Sequence, residues 1–177
     1  MRVFAYCTWS ARHMVQAAIG VQPFTSPPTL AAEFNPKWLE GRDLIYFRLH
    51  GAAGFEAWFN DNGEVALNIE AVKAANLGGA TVIVANCFGA DDPMTAQLYA
   101  SGASAVIAGD GPNWAASNVV IGTDLLAQWI RRGLCAGLPA WAALAIAKAR
   151  LAFTSWRHAD RDARAFRILG GKYGQTG

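Results

Sequence analysis

Apolar residues fall along this chain in short unbroken runs, separated by stretches whose apolar positions recur at helical spacing. "RVFAYCTW" (2–9) is a run of β-branched and aromatic side chains that stops at the polar Ser10, and it predicts a central strand. "DLIYFRLHG" (43–51) is apolar at consecutive positions, as a strand covered on both faces must be. "ATVIVANC" (80–87) and "ASAVIAG" (103–109) repeat that pattern, and "DARAFRILGGKYG" (162–174) predicts a terminal strand. "EAWFNDNGEVALN" (56–68) predicts a hairpin turning at Asp61-Asn62-Gly63.

Between these runs lie the helices. "IEAVKAANLGG" (69–79) predicts a short helix ending on a glycine cap. "PMTAQLYASG" (93–102) is opened by Asp91-Asp92-Pro93, residues suited to a first turn. "IGTDLLAQWIRRGL" (121–134) sets Leu125, Leu126, Trp129 and Ile130 on one face, and "LPAWAALAIAKARLAF" (138–153) starts a second helix at Pro139. "VQPFTSPPTLAAEFNPKW" (21–38) holds four of the seven prolines, so it predicts a loop with a short helix near Leu30 to Phe34. Strands alternating with helices predict an α/β fold, with a mostly parallel sheet covered by helices on both faces. No internal repeat or low-complexity segment interrupts it.

The length of 177 residues suits a single domain over 1–177 with one substantial core. With 53% hydrophobic and 16% charged residues the chain belongs among compactly folding proteins. A net charge of +2 without a long basic run gives no reason to expect nucleic acid or an acidic membrane surface. No apolar run approaches a membrane span or a signal-peptide core. Cys7, Cys87 and Cys135 have neither the even count of a disulfide framework nor the CxxC spacing of a zinc site. The expectation is a cytoplasmic protein with no metal and no cofactor.

Chemistry concentrates where two of the apolar runs stop. One ends in His50-Gly51 and the other in Asn86-Cys87-Phe88-Gly89. In parallel α/β sheets the carboxyl ends of the strands gather ligands and catalytic groups. Neighbouring strands lie about 5 Å apart, close enough for an imidazole and a thiol to converge on one bond. Gly51 permits close backbone approach, and its N–H together with that of Cys87 is a candidate oxyanion hole. Taken alone, a strand-terminal cysteine more often fills the core. Cys7 inside a strand and Cys135 near a helix end read as structural, and His13 and His158 as surface or capping residues.

The "LHG" after one strand, "ANCFG" after the next, "LYASGASAVIAG", "GLPAWAALAIAKARL" and "ARAFRILGG" resemble, in order and type, a CHAT domain of the caspase-like cysteine peptidases. The resemblance spans residues 43 to 171. It implies a caspase-like fold, a protein or peptide substrate, and a dyad in which Cys87 is the nucleophile and His50 transfers the proton, with Gly51 serving the oxyanion hole. It also leaves room for a regulatory protein partner, since relatives are controlled by attached domains or partners. The chain departs from the family around the cysteine, where Phe88 stands to narrow the cleft. A second departure is "GDGPNWAAS" (109–117), which implies a specificity pocket of its own.

Two residues are candidates for binding the substrate side chain before the scissile bond: Asp110, which would favour Lys or Arg, and Arg12, which would favour an acidic residue. "DGPN" also reads as an ordinary turn. Three functions remain open at this point: a cysteine endopeptidase, a catalytically inactive scaffold that binds a peptide or protein partner, and an unrelated small-molecule enzyme with a nucleophilic Cys87.

Overall fold

In a computed structural model, residues 1–113, 116, 118–155 and 157–169 are described. The elements, in chain order, are β1 (Val3–Thr8), α1 (Arg12–Ile19), β2 (Phe24–Ser26), β3 (Leu44–Arg48), β4 (Ala57–Phe59), β5 (Val65–Asn68) and α2 (Ile69–Lys73). They continue as β6 (Thr81–Val84), α3 (Pro93–Ala100), β7 (Ala105–Gly109), α4 (Gly122–Cys135), α5 (Ala140–Ala152), α6 (Ala159–Ala165) and β8 (Phe166–Leu169). Six strands form one sheet in the order β2-β1-β3-β6-β7-β8, parallel throughout except for β8, while β4 and β5 make a separate antiparallel hairpin. The fold is α/β, with a mostly parallel central sheet flanked by helices.

The unbroken apolar runs are explained by what covers the sheet. Along β1, Phe4 and Tyr6 face one layer while Ala5 and Cys7 face the other, and along β3 Ile45 and Phe47 oppose Leu44 and Tyr46 in the same way. The first layer holds Phe34, Leu39, Trp58, Val72 and Leu98; the second holds Val15, Ile19, Leu126, Ile130 and Leu151. Because a strand sends successive side chains to opposite faces, both sets of positions must be apolar. Burying each of these larger side chains contributes about 1.5–3 kcal/mol. Among the described residues no helix is long and apolar enough to cross a membrane.

Some local expectations are corrected. The proline-rich segment forms no helix at Leu30 to Phe34. It supplies the edge strand β2, and a 3-10 turn at Pro36–Leu39 is capped by Asn35, whose side chain accepts from Lys37 N–H at 3.1 Å. Prolines are tolerated directly after β2 because an edge strand needs partners on one side only. Helix α2 ends at Ala74 rather than on a glycine, its last turn closed by Ala74 N–H to Glu70. The segment 162–174 is not a strand from its start: Asp162 to Ala165 belong to α6, and only Phe166–Leu169 pair, antiparallel to β7. Residues 170–174 of that segment lie outside the described residues.

Candidate functional site

Strands β3 and β6 are neighbours, and their register pairs Phe47 with Val84. His50 and Cys87 each lie three residues beyond that pair, so the ladder delivers them to the same height at the carboxyl edge of the sheet. Pairing extends past the strands, because Ala85 N–H donates to Phe47 O at 2.8 Å and Leu49 N–H donates to the buried Asn86 Oδ1 at 2.8 Å. His50 and Cys87 line one cavity of about 160 Å³, together with Thr8, Ser10, Arg48 and Asn113.

On the His50 side, the chain leaves β3 and returns through the hairpin. His50 and Phe59 exchange two backbone hydrogen bonds of 2.9 Å, which fixes the hairpin against the strand end. The turn is organised by the buried Asn60, whose Oδ1 accepts from Asn62 N–H at 2.9 Å and Glu64 N–H at 3.0 Å, with Gly63 in the left-handed region at φ 77°. This places Asp61 beside the imidazole, with His50 Nε2 3.2 Å from Asp61 Oδ1. The same carboxylate accepts from Ser10 N–H at 3.0 Å and Ser10 Oγ at 2.9 Å. Burial raises the Asp61 carboxyl, but the hydrogen bonds from Ser10, His50 and Thr8 outweigh it and hold the group below its ordinary range.

On the Cys87 side, the chain turns sharply. Phe88 adopts a left-handed conformation (φ 57°, ψ 21°), a state that costs a non-glycine residue about 1–3 kcal/mol. It is held there by its N–H, which donates to Gly111 O at 2.7 Å, and by its carbonyl, which accepts from Asp91 N–H at 3.2 Å. The loop after β7 closes over the thiol: Asn113 N–H donates to Cys87 Sγ at 3.4 Å, Sγ lies 3.8 Å from Asn113 O, and Asn113 Nδ2 donates to Asn86 O at 2.6 Å. Gly51 packs on the same turn so tightly that a Cβ there would sit 2.3 Å from Cys87 O and 3.2 Å from Asn86 Cβ. The N–H groups of Gly51 and Cys87 make no hydrogen bond to other described residues.

Beneath the cavity lies a buried polar cluster. Tyr46 Oη donates to Asp124 Oδ1 at 2.8 Å, and Arg48 Nη1 stands 2.6 Å from Asp124 Oδ2 as an ion pair without the alignment of a hydrogen bond. Arg48 Nη2 donates to Ala116 O at 3.2 Å. Burial pushes the Asp124 carboxyl up to about 6 in spite of Arg48 and the Tyr46 hydroxyl. Cys7, adjacent to Arg48 in register, is fully buried, and burial pushes its thiol up to about 12, which makes it inert at neutral pH. Cys135 is exposed as the last residue of α4.

The two specificity candidates lie elsewhere. Asp110 is half-exposed and paired with Arg167 at 3.0 Å, and it does not line the cavity. Arg12 begins α1, where its guanidinium covers the Trp9 ring at 3.9 Å and donates to Trp9 O at 2.8 Å; its neighbour Ala11 lines the cavity instead. His13 is exposed on α1, and His158 holds the N-terminal cap position of α6. Among the described residues no group of three or more His, Cys, Asp or Glu is arranged to hold a metal.

Sequence reasoning missed Asp61, Ser10, Arg48 and Asn113. Asp61 sits inside a run that already had an explanation as a hairpin turn, and Asn113 inside one that reads as a turn. Arg48 is the single charged residue of an otherwise apolar strand, a signal present in "LIYFRL". No protein-family model matches the chain, and no curated protein matches it in sequence.

Proposed function

We propose that this chain is a caspase-like cysteine endopeptidase of the CHAT type, acting on a protein or peptide through Cys87 and His50. The observation that carries the reading is that both side chains lie just past the carboxyl ends of adjacent parallel strands and line one cavity. With His50 Nε2 occupied by Asp61, Nδ1 is the nitrogen left for the thiol. The thiol proton passes to Nδ1 as Sγ attacks the scissile carbonyl, and the imidazolium returns it to the leaving amine, giving an acyl-enzyme that water hydrolyses. The oxyanion that forms faces the N–H groups of Gly51 and Cys87, donors held in place before the reaction begins.

A second reading, a catalytically inactive scaffold that binds a peptide or protein partner, draws support from one contact. The polar neighbour of the Cys87 thiol is Asn113 rather than His50. A peptidyl electrophile separates the two. Covalent labelling of the wild type that is lost in Cys87→Ala, followed by cleavage within a peptide library, supports the peptidase. A wild type that is neither labelled nor able to cleave the library leaves the scaffold.

A further inference from the structure

We propose that Asp61 is the positioning residue of this site, holding His50 Nε2–H so that Nδ1 faces Cys87. The inference rests on the peptidase reading and deepens it from a dyad to a carboxylate–imidazole–thiol relay. The carboxylate comes from the hairpin turn and is clamped by Ser10, in the turn that follows β1. Ser10 fixes its two oxygens through contacts of 2.9 and 3.0 Å, and Oδ1 also meets the imidazole at 3.2 Å.

A purely structural role accounts poorly for this arrangement. The pair is largely solvent-accessible, with His50 at 60% and Asp61 at 30% side-chain exposure, and exposed ion pairs add little to stability. Its effect falls instead on the imidazole, which a carboxylate fixes in one tautomer and ring orientation and stabilises once protonated. The charged and titratable groups that face His50 are Asp61 from the hairpin and, across the cavity, Cys87 from the β6 end and Arg48 from β3. Of these, Asp61 is the anion in direct contact.

The test is the rate of Cys87 alkylation by iodoacetamide between pH 5 and 9, read by mass spectrometry on the intact chain. The proteins compared are wild type, His50→Ala, Asp61→Asn and Asp61→Glu. Without the carboxylate nothing holds the proton on Nε2 or the ring in its orientation, so Asp61→Asn is expected to slow Cys87 alkylation wherever the imidazole assists it. The expected loss is roughly tenfold near pH 7, with partial recovery in Asp61→Glu and an unchanged unfolding midpoint. If His50→Ala slows Cys87 while Asp61→Asn matches the wild type at every pH, the role of Asp61 is refuted and the dyad stands. If His50→Ala itself leaves the rate unchanged, the peptidase reading falls, and the relay with it.

Discussion

Replacing Gly51 by alanine probes how closely the two strand ends are fitted. The new Cβ would lie 2.3 Å from the Cys87 carbonyl oxygen, about 1 Å inside ordinary van der Waals contact, and 3.2 Å from Asn86 Cβ. The obstacle is backbone, which has no rotamer to give. The Cys87 turn, already strained at Phe88, must move as a unit. Overpacking of this kind costs about 1–3 kcal/mol, which at a urea dependence of about 2 kcal/mol per molar moves the unfolding midpoint down by about 0.5–1.5 M. Because the displaced turn carries Cys87 and its contacts with Asn113, the change in Cys87 alkylation rate should exceed what the loss of stability explains. Gly54→Ala is the control, since its Cβ would meet nothing within 4 Å and its cost is confined to the positive φ of 79°, about 1–2 kcal/mol. Urea titration combined with Cys87 alkylation reads both effects. A Gly51→Ala protein that unfolds at the wild-type midpoint and reacts at the wild-type rate would refute the close packing of these two turns.

Other consequences follow from the buried carboxylates. Asp124→Ala strands the Arg48 guanidinium and the Tyr46 hydroxyl in the interior, and stability measured by urea unfolding should fall by about 3–5 kcal/mol; a fall below about 1 kcal/mol would show that Arg48 finds another anion or water. Burial pushes Asp92 up to about 6 from an ordinary 3.8, although it accepts from Trp58 Nε1–H at 2.6 Å and Met94 N–H at 2.8 Å. The folded chain therefore holds this proton more tightly than the unfolded one. The associated stability is fully present below about pH 4 and is lost as pH rises through 6, by about 3 kcal/mol in all. Asp92→Asn should remove that part of the slope, and an unchanged difference in stability between pH 4 and 7 would contradict it.

The sheet was legible because parallel strands covered on both faces admit few polar residues, so β1, β3, β6 and β7 stand out as apolar runs. The hairpin was legible from Asp61-Asn62-Gly63, and α3 from Asp92 and Pro93. What escaped depends on contacts between distant segments. Edge strand β2 is three residues long and gains its identity by pairing with β1. Helix α6 opens with the alternating charges of "ADRDARA", whose local pattern says little about the layer it packs against. His50 and Cys87 were legible as strand terminators flanked by glycine. Asp61 and Asn113 were not, since their meaning comes from the hairpin folding back on His50 and the β7 loop closing over Cys87. The α/β class is independent of the resemblance to CHAT domains; the proposal of a caspase-like peptidase rests on that resemblance together with the shared cavity.

The strand order has a consequence in time. Because β1, β3, β6 and β7 run the same way, none of their pairings forms from a local turn; each waits for an intervening crossover to be laid down. His50 and Cys87, separated by a hairpin and a helix, come to line one cavity only when β3 and β6 zip together at the centre of the sheet. During refolding the imidazole's influence on the thiol should appear in the same kinetic phase as tertiary structure, with no earlier partial gain. In the native state, amide protons of β3 and β6 should exchange only through global opening, while those of the edge strands β2 and β8 escape through local fraying. The two side chains that line the cavity are thus carried by the last segment of the sheet to let go.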